Sequence, residues 1–226
     1  MAIFFQHTIN DTTRLGIWKI EEGEKFFLQK VPLKQHVSHP YKRLQHLAGR
    51  LLLPELFEDF PLEEIMIADT RKPFLKDEKY HFSISHCGNY AAAIASADHR
   101  VGVDIELVTP RLRNISPKFL TEKEAAYLEQ WKDLSSLYMQ MLTIIWCAKE
   151  AIFKWHGEGK VDFRKAMMLD GVITTLPDGW IRVPFLFRKG EPVSLKVTAR
   201  SFEGLMLAYV MTEEGGDQWL KANGQW

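Results

Sequence analysis

Asp104 and Glu106 stand two residues apart in the run Val101-Gly102-Val103-Asp104-Ile105-Glu106. That run reads as a short strand, and strand residues i and i+2 point to the same side. The two carboxylates therefore share a face, while Val103 and Ile105 turn toward a core. Two acids this close repel each other unless a cation lies between them. Oxygen ligands of this kind suit a hard divalent ion, most often Mg²⁺. Two solvated acids at a strand end would give the same pattern.

A second set lies in Trp146-Cys147-Ala148-Lys149-Glu150-Ala151-Ile152-Phe153-Lys154. On a helix Trp146, Glu150 and Lys154 fall at i, i+4 and i+8 and share one face. An exposed Glu–Lys pair, worth about 0.3 kcal/mol, is the ordinary reading. The neighbours Ile144, Ile145, Ile152 and Phe153 are apolar, however, so the helix is expected to be largely buried. Buried charges need partners or ions. Glu150 can then add a third carboxylate to Asp104 and Glu106, and Lys149 and Lys154 can supply positive charge for phosphate oxygens.

The elements that must position these residues can be read from periodicity and turn chemistry. Residues 2–7 and 14–21 look like strands around Asn10-Asp11. Residues 38–53 read as a helix with Ser38 as its cap, Pro40 in its first turn, and Leu44, Leu47 and Leu51 on one face; it is expected to end near Pro54. Residues 63–68 and 80–85 look like strands. The Ala-rich run 90–96 has helical propensity but reads more economically as a hairpin partner of the 101–106 strand. Thr121-Glu122-Lys123-Glu124 has the capping-box form. A long helix is expected over 135–156, broken by Gly157 and Gly159. Residues 161–213 are strand-like, and 215–226 reads as a loose tail.

Composition bounds the function. The chain has 226 residues, with 29 Lys+Arg against 29 Asp+Glu. That balance opposes a whole-chain nucleic-acid or membrane-surface footprint. Apolar content of 46% indicates a globular chain. Cys87 and Cys147 form no CxxC pattern, so neither a zinc site nor a disulfide framework is signalled. No basic segment followed by an apolar run opens the chain, and no stretch suits a membrane span. A soluble, cytoplasmic protein is expected. His86 and Cys87 are adjacent on a strand and point to opposite sides, which opposes a thiol–imidazole pair. His36, His39 and His46 are too spread for a convincing metal site.

Both chemical runs together resemble the signature of the 4′-phosphopantetheinyl transferase superfamily, of the surfactin-synthetase-activating type. That signature is Val/Ile-Gly-Val/Ile-Asp-x-Glu followed some forty residues later by Trp/Phe-Ser/Cys/Thr-x-Lys-Glu-Ala/Ser-x-x-Lys. Here Trp146 follows Asp104 by 42 residues. Arg71-Lys72-Pro73 resembles the family's Gly-Lys-Pro, and Phe82-Ser83-Ile84-Ser85-His86-Cys87 its Phe-Ser-x-Ser-His. Phe119 to Glu124 and the run Leu47-Ala48-Gly49-Arg50 also resemble family elements. The likeness spans roughly residues 40–160.

The resemblance implies an α+β fold of two similar α/β subdomains related by a pseudo-twofold, each a small, mostly antiparallel sheet packed on a long helix. The subdomains would span 1–98 and 99–226, with coenzyme A between them. Asp104, Glu106 and Glu150 would hold Mg²⁺. Lys149 and Lys154 would contact phosphates, Lys154 protonating the leaving group, and Glu150 or a metal-bound water is the expected base. Ser85 and His86 would hold the 3′-phosphate end, and Arg71, Lys72 and Pro73 the adenine. Arg43 would reach a phosphate or face solvent, Arg71 departs from the family glycine, and Glu124 matches a family acid near the metal. The implied reaction moves phosphopantetheine from coenzyme A to an acyl or peptidyl carrier protein, in a monomeric enzyme. An acidic carrier would meet Arg111, Arg113, Lys118 and Lys123, unless that stretch is ordinary solvated surface. A non-catalytic relative that binds coenzyme A or a carrier is the alternative.

Overall fold

The computed structural model describes residues 3–32 and 37–213. His36 and the expected tail at 215–226 lie outside the described residues. The elements are, in chain order, β1 (Ile3–Thr8), β2 (Thr13–Lys19), α1 (Glu24–Leu28), α2 (Pro40–Leu56), β3 (Met66–Ile67), β4 (Pro73–Phe74), β5 (His81–Cys87), β6 (Tyr90–Ser96) and β7 (His99–Leu107). They continue with α3 (Arg111–Ile115), α4 (Glu122–Leu128), α5 (Ser135–His156), α6 (Phe163–Ala166), β8 (Met167–Leu169), β9 (Thr174–Thr175), β10 (Trp180–Phe187), β11 (Val193–Phe202) and β12 (Leu205–Glu213).

Two antiparallel sheets dominate, in the order β1-β2-β6-β5 and β7-β12-β11-β10-β8. Strict alternation along their strands builds a four-layer stack. Ala91, Ala93, Ala95 and Trp18 face α2, with Leu47, Leu51 and Leu52 opposite. Met206, Ala208, Val210 and Val197 face α5, with Ile145, Ala148 and Ile152 opposite. The remaining faces meet in the middle, where Leu15, Ile17, Ala92 and Ile94 pack on Val103, Ile105, Leu207 and Tyr209.

The Ala-rich run is strand β6, against its helical propensity. It is central in its sheet and covered on both faces, so small side chains let α2 and the second sheet approach. It does not pair with β7; its partners are β2 and β5. Helix α2 begins at Pro40 after His39 with no side-chain cap, so Ser38 does not cap it. It also runs through Pro54 to Leu56, where the Arg14 guanidinium donates to the Leu56 carbonyl at 2.7 Å. The stretch 63–68 is one 3₁₀ turn and the two-residue β3. Helix α5 spans Ser135–His156 and ends where Gly157 turns left-handed at φ 75°. The capping box at Thr121 is formed, with Thr121 Oγ1 accepting from Glu124 N and Thr121 N donating to Glu124 Oε2. Among the described residues no helix is long and apolar enough to cross a membrane.

Candidate active site

Strand β7 presents a stripe of alternate residues to α5, with Glu106 at Trp146 and Asp104, Gly102 and Arg100 against its last turns, 151–156. Trp146 Nε1 donates to Glu106 Oε1 at 3.1 Å, and Lys154 Nζ to Asp104 Oδ1 at 2.7 Å. Gly102 touches the helix backbone itself: a Cβ there would lie 2.1 Å from the Ala151 carbonyl oxygen and 2.6 Å from Trp155 N. Arg100 Nε donates to the Trp155 carbonyl at 2.7 Å, and its terminal nitrogen to the His156 carbonyl. The last carbonyls of a helix lack partners within it and carry its negative dipole end, so a guanidinium fits there. Thr70 Oγ1 adds a bond to the Gly157 carbonyl at 3.0 Å.

Asp104 is buried, and its Oδ2 has no hydrogen-bond partner among the described residues. Glu150 makes no hydrogen bond or ion pair among them either. Burial first, then the charges of Asp104 and Glu106, push the Glu150 carboxyl up to about 7, with Lys154 opposing. Glu106 is raised by burial and by Asp104. Lys154 therefore sits as the cation in a cluster with three acids.

The two sheets meet beside this cluster, where edge strand β5 abuts edge strand β7. Edge strands leave a row of backbone groups unpaired. Here side chains pair them: Val103 N donates to Ser83 Oγ at 3.2 Å, Ile105 N to Ser85 Oγ at 3.4 Å and Leu107 N to Cys87 Sγ at 3.4 Å. Ser85 Oγ also donates to Asp104 Oδ1 at 2.7 Å, and Cys87 Sγ to Glu106 Oε2 at 3.2 Å. Burial, with Glu106 adding to it, pushes the Cys87 thiol up to about 12, so it stays a donor.

Two concavities flank the cluster. One, of about 190 Å³, is lined by Arg71, Lys72, Pro73, Ser83, Phe153 and Lys154 among others. Burial, then the Arg100 charge, lower Lys72 to about 7. Arg71 holds φ 67° in the turn between β3 and β4, where its N–H donates to the Ala68 carbonyl at 2.8 Å. A left-handed conformation costs a non-glycine residue about 1 kcal/mol, which accounts physically for glycine at that place in the resembled signature. The other concavity is an open groove of about 710 Å³, with Phe119, Trp146 and Phe163 on its walls and Lys118, Lys160 and Arg164 at its rim.

A family model described as the 4′-phosphopantetheinyl transferase superfamily matches residues 100–191, which hold the β7 stripe and α5. The chain is 30% identical over 148 residues to the 4′-phosphopantetheinyl transferase AcpT of Escherichia coli strain K12, covering 62% of this chain and 74% of that protein. The chain belongs to the 4′-phosphopantetheinyl transferase superfamily. It is also 32% identical over 139 residues to AcpT of Salmonella typhimurium, covering 60% and 67%. Enterobactin synthase component D of Escherichia coli strain K12 is 30% identical over 136 residues, covering 59% and 63%. The superfamily's reaction makes the chain an enzyme of phosphopantetheine transfer.

Three residues expected at phosphates of this transferase are engaged elsewhere. Lys149 is fully buried and donates to Glu124 Oε2 and the Phe119 carbonyl, each at 2.7 Å, and to the Phe163 carbonyl at 3.3 Å. Glu124, expected near a metal, is its ion-pair partner and accepts from Leu169 N at 2.9 Å. Arg43 is paired with Glu24 at 2.5 Å and donates to the Val37 carbonyl at 2.8 Å. Ser85 is buried between Asp104 and Ile105 rather than open to a phosphate. His86, by contrast, is exposed on β5. Partial desolvation and then the Lys154 charge lower its pKa.

Sequence reasoning weighed His46 and Arg50 separately and did not join them with Lys42 as one set. They lie at i, i+4 and i+8 on α2, a spacing that was legible as one basic face. Burial, then the charges of Arg50 and His86, lower His46 to about 4, so this face adjoins His86.

Replacing Lys149 with methionine leaves Glu124 buried and uncompensated. The expected result is a loss of about 3 to 5 kcal/mol in urea unfolding. A variant as stable as the parent would mean that Glu124 finds another partner or takes up a proton.

Proposed function

We propose that this chain, as a surfactin-synthetase-activating-type transferase, moves 4′-phosphopantetheine from coenzyme A to a serine of an apo acyl or peptidyl carrier protein. The observation that carries this reading is the cluster of Asp104, Glu106, Glu150 and Lys154 between a cation-lined cavity and an open groove. We place the adenosine end of coenzyme A at Arg71, Lys72 and Pro73, with the 3′-phosphate near His86 and the basic face of α2. The division at residues 98 and 99 then separates the adenosine side from the acidic cluster.

Among the described residues no three His, Cys, Asp or Glu side chains are already gathered for a metal ion. The donor set still fits Mg²⁺. It is all oxygen, Asp104 Oδ2 is buried without a partner among the described residues, and burial, then the charges of Asp104 and Glu106, push Glu150 up to about 7. Asp104, Glu106 and Glu150 would hold the ion, which when bound neutralises pyrophosphate charge.

Phosphoryl transfer depends on positioning and charge compensation more than on covalent chemistry. The carrier serine oxygen bonds to the phosphorus that bears pantetheine, and the bond from that phosphorus to the bridging oxygen breaks. Glu150 takes the serine proton. Lys154 delivers a proton to the leaving adenosine 3′,5′-bisphosphate or holds its charge. The groove walls Phe119 and Trp146 suit the pantetheine arm. Exposed Arg111, Arg113, Lys118 and Lys123, with Lys160 and Arg164 at the rim, suit an acidic carrier. Incubation with coenzyme A, Mg²⁺ and a panel of apo-carriers should add the mass of phosphopantetheine to one of them. A panel that remains unmodified while the protein still binds coenzyme A would favour the non-catalytic alternative.

Lys72 gives a proton-linked signature. Its pKa near 7 keeps it mostly neutral at pH 8.5. A phosphate beside it restores the charge, so binding draws a proton from solution. Calorimetry of coenzyme A binding at pH 8.5 in buffers of different ionisation enthalpy should show uptake approaching one proton. Lys72→Gln should abolish it; equal uptake in both proteins would remove Lys72 from the site.

A further inference from the structure

We propose that Ser85 and Cys87 are positioning residues that set the aim of the two β7 carboxylates, and this rests on the metal reading given above. The two strands keep one register across their seam. Ser85 meets the carboxylate of residue 104 and the amide of 105; Cys87 meets the carboxylate of 106 and the amide of 107. Each side chain thus accepts from the β7 backbone and donates to the adjacent acid. Each hydroxyl or thiol hydrogen rotates freely about its Cβ bond, and the adjacent carboxylate is the acceptor it meets across the seam.

The consequence is an arrangement in which chosen oxygens are tied back. Asp104 Oδ1 takes Ser85 and Lys154, leaving the buried Oδ2 without a partner. Both Glu106 oxygens are oriented, Oε1 by Trp146 and Oε2 by Cys87. A carboxylate held in one rotamer loses less freedom when it takes a cation, and groups that orient ligands typically change metal affinity by about 10- to 100-fold when removed.

Ser83 supplies an internal control. It belongs to the same seam and accepts from Val103 N, yet among the described residues no hydrogen bond links it to a carboxylate. The seam's contribution to folding is therefore separable from its contribution to the acids.

The test is Mn²⁺ binding to the full chain, followed by electron paramagnetic resonance with and without coenzyme A, beside thermal unfolding of each variant. Ser83→Ala should lower the melting temperature and leave Mn²⁺ affinity measured without coenzyme A unchanged, the comparison being confined to that condition because Ser83 also lines the proposed coenzyme A cavity. Ser85→Ala and Cys87→Ala should lower the melting temperature and weaken Mn²⁺ by about tenfold or more. Cys87→Ser, which keeps a donor and an acceptor, should restore most of the binding. Equal Mn²⁺ affinity in all folded variants, or an equal loss in Ser83→Ala, would overturn the positioning role and leave the metal reading standing. No Mn²⁺ binding by the unaltered chain would overturn the metal reading, and this inference with it.

Discussion

Gly102→Ala is expected to destabilise the protein by about 3 kcal/mol and to lower transfer by about a hundredfold or more. The added methyl group would fall on the Ala151 carbonyl oxygen, on Trp155 N and on Trp155 Cβ, 2.8 Å away. Two of those three atoms are helix backbone, so no rotamer change relieves the clash. Helix α5 must move off β7, and the stripe on either side of Gly102 moves with it: Arg100 leaves the helix end, and Lys154 leaves Asp104. Geometry errors near 1 Å are costly in phosphoryl transfer because positioning supplies much of the rate. Gly23→Ala is the matched control. Gly23 has an ordinary φ of −75°, and nothing lies within 4 Å of a Cβ there. Urea unfolding and transfer assays on both variants check the prediction. Parental activity in Gly102→Ala would show that α5 does not position the acids.

The same close contact shows why part of the site could be read from sequence. Strand alternation placed Asp104 and Glu106 together, and 3.6-residue periodicity placed Trp146, Glu150 and Lys154 on one face; both patterns depend on local geometry alone. In the fold, Trp146 and Lys154 bond to those two acids. Lys149 is turned away from the acids for a reason equally local. It adjoins Glu150 in sequence, but one helical residue is a rotation of about 100°, and that rotation turns it to Glu124 and the core. The pairing of Arg43 with Glu24 was not legible because Glu24 belongs to a short helix of five residues. Ser85 was read through the resemblance as a holder of the 3′-phosphate end, and its bond to Asp104 depends on how two sheet edges meet. No pattern within one strand encodes that contact. The Ala-rich strand illustrates the same limit, since burial on both faces overrides helix propensity.

Glu150→Gln is expected to separate activity from stability. An acid normally titrates near 4.5, whereas Glu150 is pushed up to about 7 in the fold. Between those values the folded chain binds more protons than the unfolded chain, so without metal its stability falls as pH rises from about 4.5 through 7. Above pH 7 the charged carboxylate weighs against folding, by on the order of 2 kcal/mol. Glutamine keeps the shape and removes the charge. The variant should therefore unfold at higher urea than the parent at pH 8, with a flatter pH profile. Excess Mg²⁺ should stabilise the parent more than the variant, because the ion relieves repulsion that the variant lacks. Transfer should fall by about a thousandfold, within the range for losing a general base and a ligand together. A variant that is both less stable at pH 8 and fully active would show that Glu150 is a structural acid and that the serine proton goes elsewhere.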